Sequence, residues 1–206
     1  MKLILCTLSV FSVAGLSGLL ASSAIPRASG PAPAAENFEI DAVHSTVVFR
    51  SNHLGISQAW GRFDKFGDDS KIVYDAADPS KSSILFVVEA DSVDTAAPDR
   101  DKHLRSADFF NAKEFPQIVF ESKKISGKPE ALTVEGALTF HGVTKTVKAQ
   151  AKVVGKGDTP LGDHRAGFVA ELTIDMRDYD VAFAKKTPPV VGPEVALTVS
   201  VEGVRK

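Results

Sequence analysis

Five histidines, His44, His53, His103, His141 and His164, are the side chains best suited to proton transfer or metal binding, and none are paired at short ligand spacing. A constellation assembled by folding could still hold a metal or haem. A lone histidine near a turn or strand end, however, is far more often hydrogen-bonded to the structure around it. The densest polar cluster is Asp99-Arg100-Asp101 with His103. It has two readings. It is either a headgroup site, with Arg100 as a bidentate anion clamp and His53 and His103 beside it, or a helix start with ion pairs to neighbouring basic groups. Asp175, Asp178 and Asp180 imitate half a calcium loop, but the glycine and the distal glutamate are missing, so they read as a solvated turn. G-x-S-x-G, the P-loop, G-x-G-x-x-G and H-E-x-x-H are all absent. Cys6, the one cysteine, lies in the apolar N-terminal stretch, so the chain beyond it has no thiolate for catalysis, a disulfide or a zinc site. These residues point to a binder with no catalytic residue, metal or cofactor. A hydrolase using Asp and His groups is the enzymatic alternative.

The elements that must position this cluster are strands. Leu132, Val134, Leu138 and Phe140 alternate with polar residues, as do Val147, Ala149, Ala151 and Val153. The same holds for Ala166, Phe168, Ala170, Leu172 and Ile174, and for Val195, Leu197, Val199 and Val201. A period of two gives one buried and one wet face, the habit of antiparallel sheets. Shorter strands are expected at 43–50, 57–66, 71–75, 82–89 and 117–125. His141-Gly142 makes a tight connection, with Gly142 suited to positive φ. One segment departs from the pattern: Pro98, then Leu104, Ala107 and Phe110 at helical spacing predict one or two short helices over 98–110. The fold class is therefore all-β, an antiparallel barrel or sandwich of about eight strands with one short helical insertion.

The inward positions say what such a barrel could hold. Gly136, Ala149, Ala151, Ala166 and Ala170 are small, and small residues on a concave inner face leave volume. Two outcomes stand open: a hollow lumen, or a lumen filled by side chains opposite, drawn from 13 phenylalanines. Phenylalanine far outnumbers tyrosine and tryptophan, so a hollow lumen would offer few polar handles and suit an aliphatic guest. Its expected lining is Phe63, Phe86, Phe110, Phe120, Leu138, Phe140, Ala151, Phe168, Ala170 and Leu172.

Lys2, an apolar run over 3–26 and the small residues Ala21-Ser22-Ser23-Ala24 are the three parts of a secretory signal, so residues 1–24 are expected to be removed on export. An uncleaved membrane anchor is the alternative, since the run is just long enough to span a bilayer. Residues 25–36, rich in Ala and Pro, read as a flexible leader and 37–206 as one domain. The formal net charge of −2 is too near neutral to point to nucleic acid or an anionic membrane surface as a partner.

Several motifs together carry a family resemblance. Asp41-Ala42-Val43-His44-Ser45 leads to Phe49, His53-Leu54-Gly55 and Gly61-Arg62-Phe63. Asp99-Arg100-Asp101-Lys102-His103-Leu104-Arg105-Ser106 runs on into Asp108-Phe109-Phe110 and Phe115-Pro116, and Leu138-Thr139-Phe140-His141-Gly142-Val143-Thr144-Lys145 follows. In order and spacing, over residues 37–204, the set resembles the YceI family of bacterial periplasmic proteins. The resemblance implies a lipocalin-like barrel whose elongated apolar cavity holds a polyisoprenoid, such as a prenyl pyrophosphate or a quinone tail. It also implies a periplasmic carrier or sequestering role, with a redox accessory to a membrane cytochrome as the competing one. The expected partners are the lipid, an inner-membrane protein met transiently and a second copy of the chain; nucleic acid is not among them. One departure stands out. Where the family pattern reads Asn-Arg-x-Asp-Phe-Gly, this chain has Asp175-Met176-Arg177-Asp178-Tyr179-Asp180.

Overall fold

The computed structural model describes residues 34–186 and 190–206. The expected signal (1–24) and most of the expected leader (25–36) lie outside the described residues. Among these residues eleven strands form one antiparallel sheet: β1 (Glu36–Ile40), β2 (Thr46–His53), β3 (Ser57–Phe63), β4 (Lys71–Tyr74), β5 (Ser83–Glu89), β6 (Val93–Asp94), β7 (Gln117–Lys128), β8 (Ala131–Phe140), β9 (Val143–Asp158), β10 (His164–Asp175) and β11 (Val191–Arg205). Among the described residues the one α-helix, α1, spans Pro98–Leu104.

Pairing β1 with both β4 and β11 closes an eight-strand circuit, β1-β4-β5-β7-β8-β9-β10-β11. Toward its N-terminal end β11 turns instead to β2, which carries β3 and β6; the chain after β3 then returns to β5 through the Phe66–Val88 bridge. The result is a closed barrel, the architecture the alternating pattern demands, because no strand whose inner face is apolar is left without a neighbour.

The long strands β8 to β11 agree with the sequence reading. The β8–β9 turn places His141 at φ 51° and Gly142 at φ 74°, two consecutive left-handed residues as a type I′ hairpin needs. Several details differ. β1 was not anticipated: five residues carry too little alternation to stand out, and its place depends on partners at Tyr74 and Arg205. The strand expected at 43–50 starts at Thr46, because Asp41 Oδ1 accepts the backbone N–H groups of Val43 and His44 and holds that stretch in a turn. The strand expected at 57–66 ends at Phe63. Over 98–110 helix is confined to α1, since Ser106 Oγ donates to the His103 carbonyl and the Phe110 N–H donates to the Leu104 carbonyl, which turns the chain out of helical geometry.

At the end of the barrel away from α1, Arg165 bridges Asp41, Asp163 and Glu202, at 2.6 Å to Asp41 and to Glu202 and 2.8 Å to Asp163. The hydrogen bond to His44, then that to Arg165, holds the Asp41 carboxyl down at about 2. A carboxyl depressed in the fold stabilises above its unfolded value and loses that contribution as pH falls through its folded value. Arg165→Met is therefore expected to lower stability at neutral pH, where it leaves three carboxylates facing one another. The gap to the parent should close as pH drops from about 4 to about 2. Urea unfolding midpoints across that range would check it; a gap that stays constant would show that the cluster contributes no charge-dependent stability.

Candidate functional site: an apolar barrel cavity

The barrel is hollow. Its cavity measures about 500 Å³, within the range of small-molecule sites. Phe63, Phe86, Phe110, Phe120, Leu138, Phe140, Ala151, Phe168, Ala170 and Leu172 are on its wall. His53, Arg100 and His103 are on its wall too. The five small positions divide. Ala149, Ala151 and Ala170 face the lumen, and Ala151 and Ala170 are register partners across β9 and β10, so the two make one shallow patch of wall. Gly136 and Ala166 open no volume. A Cβ on Gly136 would come within 2.5 Å of both the Phe120 ring and the Glu121 carbonyl oxygen, so the neighbouring strand fills that place. Ala166 is packed into the core.

The lumen has a closed and an open end. Ile125, Leu132, Val134 and Ala149 form a buried cluster near the closed end, with Tyr74 and Ser82 also on that part of the wall. The wall residues that reach solvent, Ser57, Gln58, Trp60, Arg100, His103 and Val190, come from the start of β3, from α1 and from the chain before β11. They mark the mouth. Trp60 and Val190 were missed in the sequence because both break the local alternation. Trp60 stands on the outer face of β3, across from Arg50, and reaches the cavity from its rim.

The polar cluster of α1 has been put to structural use. Asp101 is buried, and its Oδ1 accepts the Thr95 N–H at 2.8 Å and the Thr95 hydroxyl at 2.5 Å. Arg100 Nε donates to Thr95 Oγ1 at 2.7 Å, and Nη2 donates to the Thr95 carbonyl at 2.8 Å. These bonds fasten the loop ahead of the helix, in place of the ion pairs expected there. His103 Nε2 meets Asp108 Oδ2 at 3.0 Å, and its ring stands edge-on to Phe109 and Phe183. His141 lies apart from the mouth, with Nδ1 on the Tyr179 carbonyl at 3.1 Å.

The departure at 175–180 changes the lumen wall. Residues Met176–Tyr179 form a 3₁₀ turn; Met176 is buried on the cavity wall, while Arg177 points away and pairs with Asp175 at 2.5 Å. The wall is thus apolar where the family pattern carries arginine. Asp180 takes the glycine's place at φ 64°, a left-handed conformation that aspartate tolerates. Tyr179 is buried, and burial pushes its hydroxyl up to about 12. Among the described residues, the set of His and carboxylate atoms close enough together for a metal ion is Asp41, His44 and Glu202. Arg165 Nη1 already sits on both carboxylates, 2.6 Å from each, and supplies the cationic charge there.

A closed antiparallel barrel with an apolar lumen and one mouth defines a hollow binding barrel of the lipocalin-like kind. The chain belongs to the YceI family: the YceI-like domain matches residues 38–203. It is 39% identical over 194 residues to a UPF0312 protein of Pectobacterium carotovorum, covering 93% of this chain and 97% of that one. It is 41% identical over 182 residues to the protein YceI of Salmonella arizonae, covering 86% and 91%. Among solved structures it resembles a YceI protein of Campylobacter jejuni, with 29% identity, a TM-score of 0.67 and coverage of 75% and 90%. A polyisoprenoid binding domain from Saccharophagus degradans shares the fold at 14% identity, with a TM-score of 0.60 and coverage of 82% and 98%.

Proposed function

We propose that this protein is a periplasmic carrier or sequestering protein that holds a polyisoprenoid, or another long apolar chain, end-on in its barrel. The observation that carries this reading is the cavity of about 500 Å³ whose apolar wall is broken by polar groups mainly at its mouth. An aliphatic chain moved from water into such a wall gains roughly 0.8 kcal/mol for each buried methylene, with no polar group left to satisfy. Family membership and the shared fold of a polyisoprenoid binding domain support it. Periplasmic residence rests on the signal-like residues 1–24.

The mouth favours an uncharged head. On the cavity wall itself Arg100 is engaged by Thr95 and His103 by Asp108, so a diphosphate seated inside the mouth would have to displace existing bonds to reach those two cations. A quinone ring or an alcohol needs only hydrogen bonds, which His53, Gln58 and Ser57 can offer at the rim. Native mass spectrometry of protein purified from its own host is expected to show a bound neutral isoprenoid, and an absorbance scan of the same sample identifies a quinone. Apo-protein in every preparation, with no uptake of a fluorescent prenyl analogue, would end the carrier reading. Stoichiometric haem would favour the redox-accessory reading instead.

A further inference from the structure

The mouth of the barrel carries four large apolar side chains in water: Leu54 is 53% exposed, Ile56 84%, Trp60 55% and Val190 40%. Among the described residues, the other large apolar side chains that are exposed, Val43, Val154 and Leu161, come from other turns and strands. Leu54 and Ile56 flank Gly55 at the tip of the β2–β3 hairpin. That tip is pinned: the Leu54 N–H donates to the Val190 carbonyl at 3.0 Å and the Gly55 N–H to Asn52 Oδ1 at 2.6 Å. Leu54 is held at φ 55°, a conformation unfavourable for leucine, so the turn keeps its side chain outside at some conformational cost.

Cations border these apolar groups. The Arg50 guanidinium lies 5.9 Å from the centre of the Trp60 ring, and the Lys186 ammonium 4.0 Å from that of Phe183. Trp60, Phe183 and Val190 belong to the cavity wall as well as to the rim. Of the nearby acids, Asp108 is paired with His103, Asp175 with Arg177 and Asp180 with Lys185; Glu194 shares an outer cleft with Arg50 and Arg177, and Asp99 stays exposed on α1. Aliphatic tips outermost, a tryptophan beside them and cations capping the aromatic rings follow the order of layers at a lipid–water boundary. Acyl chains accept Leu and Ile, indole prefers the headgroup level, and Arg and Lys meet phosphates. The net charge of −2 hides this because much acidic charge lies at the other end, on Asp41, Asp163 and Glu202.

We infer that the cavity mouth is a docking surface for a phospholipid bilayer, seated through Leu54, Ile56 and Trp60 with Arg50 and Lys186 against lipid phosphates. A chain can then pass between bilayer and lumen without crossing water, a consequence that rests on the carrier reading; the docking itself does not.

The chain's single tryptophan is Trp60, so its emission reports this rim alone. The full chain is titrated with vesicles of phosphatidylcholine containing phosphatidylglycerol, with acyl chains plain or brominated. Trp60 emission is expected to shift to the blue and to be quenched by the brominated lipid, whatever else of the chain touches the vesicle. Leu54→Asp/Ile56→Asp should lower the quenching-detected partition about tenfold or more, while leaving thermal unfolding and uptake of a fluorescent prenyl analogue in vesicle-free solution unchanged. Arg50→Glu/Lys186→Glu, which keeps the apolar tip, should weaken docking to the anionic vesicles more than to phosphatidylcholine alone. Unmoved Trp60 emission in the parent, or equal quenching in parent and Leu54→Asp/Ile56→Asp, would overturn the inference. So would a parent dimer that this double variant converts to monomer without any quenching on vesicles, since the rim would then be an interface between copies. Quenching without prenyl uptake would leave docking standing and remove only the carrier reading.

Discussion

Ala170→Phe is expected to abolish retention of a prenyl chain while leaving the free energy of unfolding within about 1 kcal/mol of the parent. In a solid core the same substitution would add a ring where no space exists and cost typically about 1–3 kcal/mol. Here Ala170 faces the lumen, and its register partner Ala151 is equally small. A ring at 170 therefore projects into open volume beside Leu132 and Leu172, and its new contacts offset the side-chain entropy it loses. What it removes is the passage a guest needs to reach the closed end. Ala151→Phe, entering from the adjacent strand, should act in the same way, and the two changes should not add, since either one blocks the same cross-section. The measurement pairs unfolding of delipidated protein with uptake of a fluorescent prenyl analogue. Strong destabilisation by both substitutions, together with no uptake by the parent, would mean that the lumen does not accept a chain at all.

Phe110→Ala should lower stability by about 3 kcal/mol, at the bottom of the usual range for a buried phenylalanine. The ring is buried where the segment after α1 folds onto the barrel, with its centre 5.6 Å from that of Phe63, 5.7 Å from Phe140 and 6.5 Å from Phe49. Those three rings sit on β3, β8 and β2, so Phe110 ties the β2–β3 pair to β8 of the circuit. The loss stops near the low end because Phe110 also faces the cavity, and truncation enlarges a space that already exists. A shift well under 1 kcal/mol in urea unfolding would show that the 105–116 segment rests loosely on the barrel. The same variant should release a bound chain faster, because the ring stands between the lumen and α1 at the mouth.

Both predictions depend on which part of the molecule was legible before folding. Alternation is a local property: a residue two positions on faces the same side of the pleat, whatever the strand pairs with. The antiparallel class, the β8–β9 turn at His141-Gly142 and the inward residues of β8 to β11 could therefore be read directly from the chain. The apolar character of the lumen followed from the same pattern, because the residues available for its wall are phenylalanines and aliphatics.

Other features exist only between segments far apart in the chain. β1 gains its meaning from Tyr74 and Arg205, and without it the circuit stays open. Whether a small residue leaves a hole depends on what stands across from it. Gly136 faces the Phe120 ring and leaves none, whereas Ala170 faces Ala151 and does. Arg100 carried the right chemistry for an anion clamp, but its donors are engaged by Thr95, five residues away, once Asp101 has turned the helix onto that loop. The rim of Leu54, Ile56, Trp60 and Val190 likewise has no signature in one dimension, since its members come from a hairpin tip, an outer strand face and a segment some 130 residues further on. The sequence by itself determined the periodicity and composition of the walls, because side-chain alternation and hydrophobicity act locally. Closure, hollow space, the fate of each charged group and the position of the mouth were decided by tertiary structure, because each is set by the distance between residues that the chain alone does not bring together.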